Sequence, residues 1–316
     1  MSHIGKIELS LRIYIIIIFT DYIIMNLLYT LNSPLVGKIV KRPSKIVKSP
    51  YVADIELESS DHTIKGLNPE YLAHCPALGC CGLSEAGCDV IMEKMGHTFG
   101  CNIEDKKCKY RIVLSIVSSS VIVGIYPKYA ENLVERALQL NLLSKLQNVT
   151  KYRREFSLTI PDTVHSKFDF VGLDVDGCPF ILEVKNVPLA DYEDLTVKER
   201  KKRSAYEAEG RPENSKVAYF PDGYRKQVSD TVSPRALKHI KELTHIRKTS
   251  VTRCIMCYVI QRNDVNRFQP SVVDPEYRAA FKEAVDAGVE VITMVVKWTA
   301  SGEAYFVTDE LPLGDV

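Results

Sequence analysis

Residues 167–187, KFDFVGLDVDGCPFILEVKNV, read as a β-hairpin whose second arm has the apolar texture of a buried strand yet contains Glu183 and Lys185. Strand side chains alternate faces, so the two charges share one face with Ile181 and Val187, while Leu182 and Val184 point to the other. Charges on a central strand are costly unless paired or bound to something. An ion pair within the strand would meet that cost, but it leaves Asp169, on the first arm, without a role. Where Asp169 lies depends on the turn at Asp176 and Gly177. A two-residue Asp-Gly loop sets Asp169 opposite Val184, on the wrong face. A three-residue loop, Val175 to Gly177 with Gly177 left-handed, sets it across from Glu183. The odd-length loop is the expectation.

An Asp and a Glu meeting on one sheet face can hold Mg²⁺ through their carboxylates and leave its remaining positions to water. A lysine two residues after the Glu can orient that water or offset charge on a phosphorane-like transition state. This is the Asp…Glu-x-Lys logic of metal-dependent nucleases, with Asp169 and Glu183 as metal ligands and Asp169, Glu183 and Lys185 as the catalytic set. Glu-x-Lys by itself is a weak signal, and the hairpin context is what gives it weight.

Working outward, the chain has 316 residues, 46% apolar and 26% charged, which is ordinary globular composition and enough for about two domains. A formal net charge of +1 gives no global attraction to polyanions, so a nucleic-acid site must come from local clustering of Lys and Arg. The nine cysteines are odd in number, and Cys178, Cys254 and Cys257 sit in strand-like apolar runs. A secreted disulfide framework is disfavoured; a reducing compartment, cytoplasmic or nuclear, is expected.

Residues 1–33 form a hydrophobic extension whose run IYIIIIFTDYIIMNLLYTL (13–31) approaches the length of a membrane helix but carries Asp21 at its middle. It is either a membrane anchor or a bland extension, and the anchor is not favoured. Residues 34–115 break into short strand-like pieces around Pro43 and Pro50, as in a small OB-like β-barrel. Lys38, Lys41, Arg42, Lys45 and Lys48 would give it a basic, nucleic-acid-binding face; a solvated edge strand guarded by lysines is the alternative. His74, Cys75, Cys80, Cys81, Cys88, His97, Cys101 and Cys108 cluster here without a Cys-x-x-Cys half-site, so zinc is not expected as a cofactor.

From residue 116 to 316 strands alternate with helices, predicting a mixed sheet flanked by helices and an α/β (α+β) two-domain chain overall. KYAENLVERALQLNLLSKL, SPRALKHIKELTHIRK and DPEYRAAFKEAVDAG read as the helices. Ser233 before Pro234 reads as an N-cap and Gly288 as a C-terminal stop.

These pieces, in their order from about Leu35 to Leu313, resemble the sugar fermentation stimulation protein A (SfsA) family. The resemblance is carried by LVGKIVKRPSKIVKSPYVADIEL, HCPALGC, ENLVERAL, SKFDF, EVKNVPLA, YFPD, TVSPRALKHIKEL and VIQRNDVNRFQP. It implies an OB-like domain joined to a PD-(D/E)XK restriction-endonuclease-like domain, with DNA as partner and no marked sequence preference. Asp169, Glu183 and Lys185 fall on the family's nuclease-like positions. Arg235 and His239 match its polar helix positions, from which they would face a phosphate; a merely solvated helix surface is the alternative. Two departures stand out. Where the family has Asn and Thr this chain has Ala77 and Leu78, and it inserts a charged segment at 191–219, whose Lys198 to Arg203 run would grip a DNA backbone or remain a solvated loop. Two function classes follow: an Mg²⁺-dependent nuclease, and a non-enzymatic DNA-binding regulator with an idle nuclease fold.

Overall fold

A computed structural model describes residues 26–58, 71–75, 80–95, 108–196, 198–199, 210–223 and 230–314. His97, Cys101, Ala77, Leu78, residues 13–25 and the basic run 200–203 lie outside them. The expected two-part α/β architecture is what the chain adopts. Strands β2 (Leu35–Lys41), β3 (Val52–Leu57), β4 (Tyr71–His74), β5 (Asp89–Lys94) and β6 (Tyr110–Ile116) follow the order β4-β3-β2-β5-β6, and β4 pairs with β6 to close a five-strand, OB-like barrel. Its inward residues, among them Ile39, Ile55, Met92 and Ile112, are wholly buried. Strand β7 (Ile122–Gly124) adds to β6, so the barrel sheet runs on to Gly124, past the expected boundary at residue 115.

The second sheet has seven strands. Its centre is β10 (Pro179–Val187), parallel to β13 (Arg253–Ile260), which is parallel to β15 (Glu290–Trp298). Antiparallel β9 (Val164–Leu173) and β8 (Lys151–Ile160) extend one side and β16 (Glu303–Thr308) the other. The far edge is β1 (Leu27–Thr30), paired with β16. This corrects the expectation for residues 1–33, because Leu28 and Leu31 are buried core residues of this sheet. Among the described residues no helix is long and apolar enough to cross a membrane.

Helix α1 (Pro127–Gln139) covers one face with Leu133, Val134, Ala137 and Leu138 against Leu182, Val184 and Val259. It ends earlier than its apolar pattern predicts, since Asn141 takes φ 55° and the Leu142 N–H returns to the Ala137 carbonyl, while Leu143 and Leu146 still pack into the same core. Helices α2 (Pro234–Thr249) and α3 (Pro275–Asp286) cover the other face, over Ile181, Met256 and Tyr258. Asp274 caps α3 by accepting the Tyr277 N–H at 3.0 Å; Ser233 stands at the α2 N-cap without a side-chain cap bond. A three-strand sheet joins β11 (Ala190–Asp191), β12 (Lys216–Phe220) and β14 (Val265–Pro270). Residues 216–219, expected to belong to the inserted segment, are therefore a strand, with Val217, Ala218 and Tyr219 buried.

Candidate active site

The hairpin register decides the geometry. Leu173 pairs with Pro179 and Phe170 with Leu182, and the Asp174 N–H donates to the Cys178 carbonyl at 3.0 Å, leaving Val175, Asp176 and Gly177 as a three-residue loop. Gly177 has φ +76°, the left-handed conformation the loop requires. Asp174 holds it shut, accepting the N–H groups of Asp176 and Cys178 and an Arg253 guanidinium N–H at 2.9 Å. Continuing this register sets Asp169 opposite Glu183. The main-chain ladder stops there, and the Asp169 carboxylate accepts the Val184 N–H at 2.7 Å.

Glu183 is 2% exposed on a strand flanked on both sides. Its Oε1 accepts a hydrogen bond from Lys185 Nζ and meets His239 Nδ1. Its Oε2 is buried without a hydrogen-bond partner. His239 is not on the outer surface of α2, as a direct phosphate contact requires; it is buried on the inner face, beside Phe168, with its ring turned to the carboxylate. The signal was in the sequence, because 236, 239/240, 243 and 246 trace the apolar stripe of that helix. Arg235, one turn earlier, is exposed at the mouth of the site.

Asp169, Glu183, Lys185 and Arg235 line one cleft of about 520 Å³, with His239 packed behind Glu183. Asp169, Glu183 and Lys185 form its floor. The first turns of α1 and α2 and residues 219–223 form its walls, and Cys80 of the barrel closes one side. Burial and then the neighbouring Glu183 push the Asp169 carboxyl up to about 7, against the pull of Lys185 and the Val184 N–H, and Glu131 on α1 adds to the rise. Glu131 is a participant that sequence periodicity hides, since it sits on α1 rather than on the hairpin. Burial also works against ionising Glu183, but Lys185 and His239 outweigh it and hold that carboxyl below its usual range. Two carboxyl groups thus share one sheet face with a single ammonium, which bonds Glu183.

Among the described residues no group of three or more His, Cys, Asp and Glu side chains could hold a metal ion. The pair nevertheless fits a hard cation: Glu183 offers an orphaned buried oxygen, and the Asp169 carboxyl is raised by repulsion that a cation would relieve.

The barrel lysines lie elsewhere, and none of Lys38, Lys41, Arg42 or Lys45 lines the cleft. Lys38 pairs with Asp89 at 3.3 Å, while Lys41 and Lys45 are exposed. Arg42 departs from the expected basic face. Its side chain is buried in a bracket to the Pro50 carbonyl at 2.8 Å and the Ser84 carbonyl at 3.2 Å. Cys75 and Cys80 belong to the barrel core.

A family model described as "Sugar fermentation stimulation protein RE domain" matches residues 128–302, which takes in the hairpin with Asp169, Glu183 and Lys185, and helices α2 and α3. The chain belongs to the sugar fermentation stimulation protein family. Among its SfsA relatives, a sugar fermentation stimulation protein homolog of Alteromonas mediterranea is 29% identical, over 81% of this chain and 87% of its own length. A homolog of Crocosphaera subtropica is also 29% identical, over 86% and 92%. The structure of Pyrococcus furiosus SfsA in complex with Ca²⁺ is similar in fold, with a TM-score of 0.66 over 92% of this chain and 99% of that one at 18% identity.

Proposed function

We propose that this SfsA-family chain binds DNA without marked sequence preference and hydrolyses its phosphodiester bonds with Mg²⁺ held by Asp169 and Glu183. The observation that carries the reading is the meeting of Asp169, Glu183 and Lys185 on the floor of one cleft, with a Glu183 oxygen left unsatisfied. The Ca²⁺ named for the Pyrococcus furiosus relative supports a divalent site in this fold. The ion would supply Lewis-acid polarisation of the phosphodiester.

The remaining work falls to the chain's own groups. His239 fixes the Glu183 rotamer from beneath, and the Val184 N–H fixes Asp169. Lys185 leaves Glu183 to meet the phosphate or orient the attacking water, offsetting charge as it develops. Arg235, at the mouth, draws in the neighbouring phosphate. The alternative reading, a DNA-binding protein with an idle site, draws on Lys185 and His239 both engaging Glu183 Oε1, with no group of three metal-ligating side chains among the described residues.

Cleavage assays with Mg²⁺ on single- and double-stranded DNA and on RNA separate the two. The nuclease reading expects cutting that falls by a hundredfold or more in Asp169→Ala and Lys185→Ala. Wild-type protein that does not cut, or cutting that survives both substitutions, overturns it. Salt-dependent DNA binding that persists without cleavage then establishes the binding reading.

A further inference from the structure

A second cavity, of about 460 Å³, lies on the other flank of α1 from the cleft, where the barrel meets the seven-strand sheet. Lys128, Tyr129 and Asn132 of α1 line it, whereas Pro127, Ala130 and Glu131 of the same turns line the cleft. Its apolar wall is aromatic. Tyr29 of β1 lies 4.7 Å from Tyr129, and Tyr126 lies 4.9 Å from Tyr129, edge to face. Its rim is cationic, with Lys94 of β5, Lys128 and Arg111 of β6. The Arg111 guanidinium lies 4.8 Å over the Tyr126 ring, and its Nε is buried without a hydrogen-bond partner. The acid in the wall, Glu93, is engaged: one oxygen accepts the Asn32 N–H at 3.1 Å and the other the Tyr129 hydroxyl.

Lys128 is already paired with Glu155 at 3.3 Å, but partly exposed rings beside Lys94 and Arg111, with a guanidinium nitrogen waiting for an acceptor, suit a ligand that is flat and apolar at one end and anionic at the other. We propose that this cavity binds a nucleotide of single-stranded nucleic acid, the base against Tyr29 and Tyr126 and the phosphate towards Arg111 and Lys94. A duplex keeps its base faces stacked and offers only its backbone, so the aromatic wall selects unpaired strands. Only the width of α1 separates the cavity from the cleft, so a strand held here would run over the helix towards Asp169 and Glu183. The proposal rests on the nucleic-acid reading of the cleft and adds the strandedness of its substrate.

Fluorescence anisotropy of the full chain in EDTA, with a labelled single strand of mixed sequence and with its duplex, tests it. Arg111→Gln is expected to weaken single-strand binding about tenfold, and Lys94→Gln about fivefold, with a salt slope shallower by about 0.7. Duplex affinity should stay within about twofold for both. Trp298, the one tryptophan of the sequence, lies 6.4 Å from Tyr29 and 6.3 Å from Tyr129. Its emission should respond to the single strand in the wild type and not in Arg111→Gln. Should Arg111→Gln melt early, the exposed Lys94 variant decides. Variants that bind the single strand as the wild type does overturn the proposal. Wild-type cleavage with Mg²⁺, measured alongside, keeps the readings apart. Loss of single-strand binding in a chain that does not cut supports the cavity and removes the nuclease, and unchanged binding in a chain that cuts does the reverse.

Discussion

Asp169 accepts one main-chain N–H, and that bond does not offset its burial or the Glu183 carboxylate across the strand, so its proton leaves only near pH 7. In the unfolded chain the same proton leaves near the usual aspartate value of about 3.9. Between those two values the folded state binds the proton and the unfolded state does not, so this group's contribution to stability is full below about pH 4 and is lost as pH rises through 7. Asp169→Asn keeps an oxygen for the Val184 N–H and removes the charge. In EDTA at pH 8 it should raise the melting temperature by several degrees, on the order of 1–3 kcal/mol, with no gain at pH 4. Adding Mg²⁺ should raise the melting temperature of the wild type and leave Asp169→Asn where it is. A wild type that melts higher at pH 8 than at pH 6 without metal, with the variant following it, would place the Asp169 proton elsewhere. Arg42 makes the complementary case, of a charge that the sequence offers to DNA and the structure engages with the carbonyls of Pro50 and Ser84. Arg42→Gln leaves the Pro50 and Ser84 carbonyls without their donor and should cost about 2 kcal/mol in a thermal melt, with the salt slope of DNA binding unchanged.

The β9–β10 hairpin shows how much of the site is legible in sequence. Strand period and turn chemistry are local, so the alternation of faces together with a three-residue loop ending at left-handed Gly177 brings Asp169 onto the face of Glu183. Gly177 can be tested without disturbing the cleft. A Cβ there meets nothing within 4 Å, so Gly177→Ala carries only the left-handed backbone cost of about 1 kcal/mol. Melting should fall by about 2–4 °C, Gly177→Asn should lose less, and cleavage should stay intact in both. A loss in Ala well beyond that figure would mean the loop shares in a wider network. What was illegible is non-local. Edge strand β1 finds its partner β16 at the opposite end of the chain, and no pattern within residues 27–30 marks them as sheet rather than as the tail of an apolar run. His239 stands on the apolar stripe of α2, but burying a histidine needs a partner, and that partner, Glu183, lies on another element.

At the scale of the whole molecule, the cleft exists because barrel and sheet share a core rather than touch at a linker. Leu189 and Tyr219, from beyond the end of β10 and from β12, pack in the barrel cluster with Ile39, Ile55 and Val123. The seam is tied at Gln261, which is wholly buried. Its carbonyl accepts the Gly124 N–H at 2.9 Å, its amide donates to Asn186 at 2.6 Å, and its side-chain oxygen accepts from Trp298 at 2.9 Å. One glutamine thereby joins β7 of the barrel to the ends of β10, β13 and β15, and the end of β10 lines the cleft. Gly124 lets the two halves approach this closely: a Cβ there would lie 2.0 Å from Gln261 Oε1 and 2.6 Å from Trp298 Nε1. Gly124→Ala must push the barrel off the sheet or break the Gln261 bonds, an overpacking cost of about 1–3 kcal/mol. With the shared core intact, the wild type should unfold in one calorimetric transition. Gly124→Ala should split it, the barrel melting apart from the sheet. The walls of the cleft come from both halves, so under the proposed nuclease function cleavage should fall even though Asp169, Glu183 and Lys185 are untouched. A variant that still melts in one transition and cuts at the wild-type rate would show that the seam carries neither cooperativity nor the shape of the cleft.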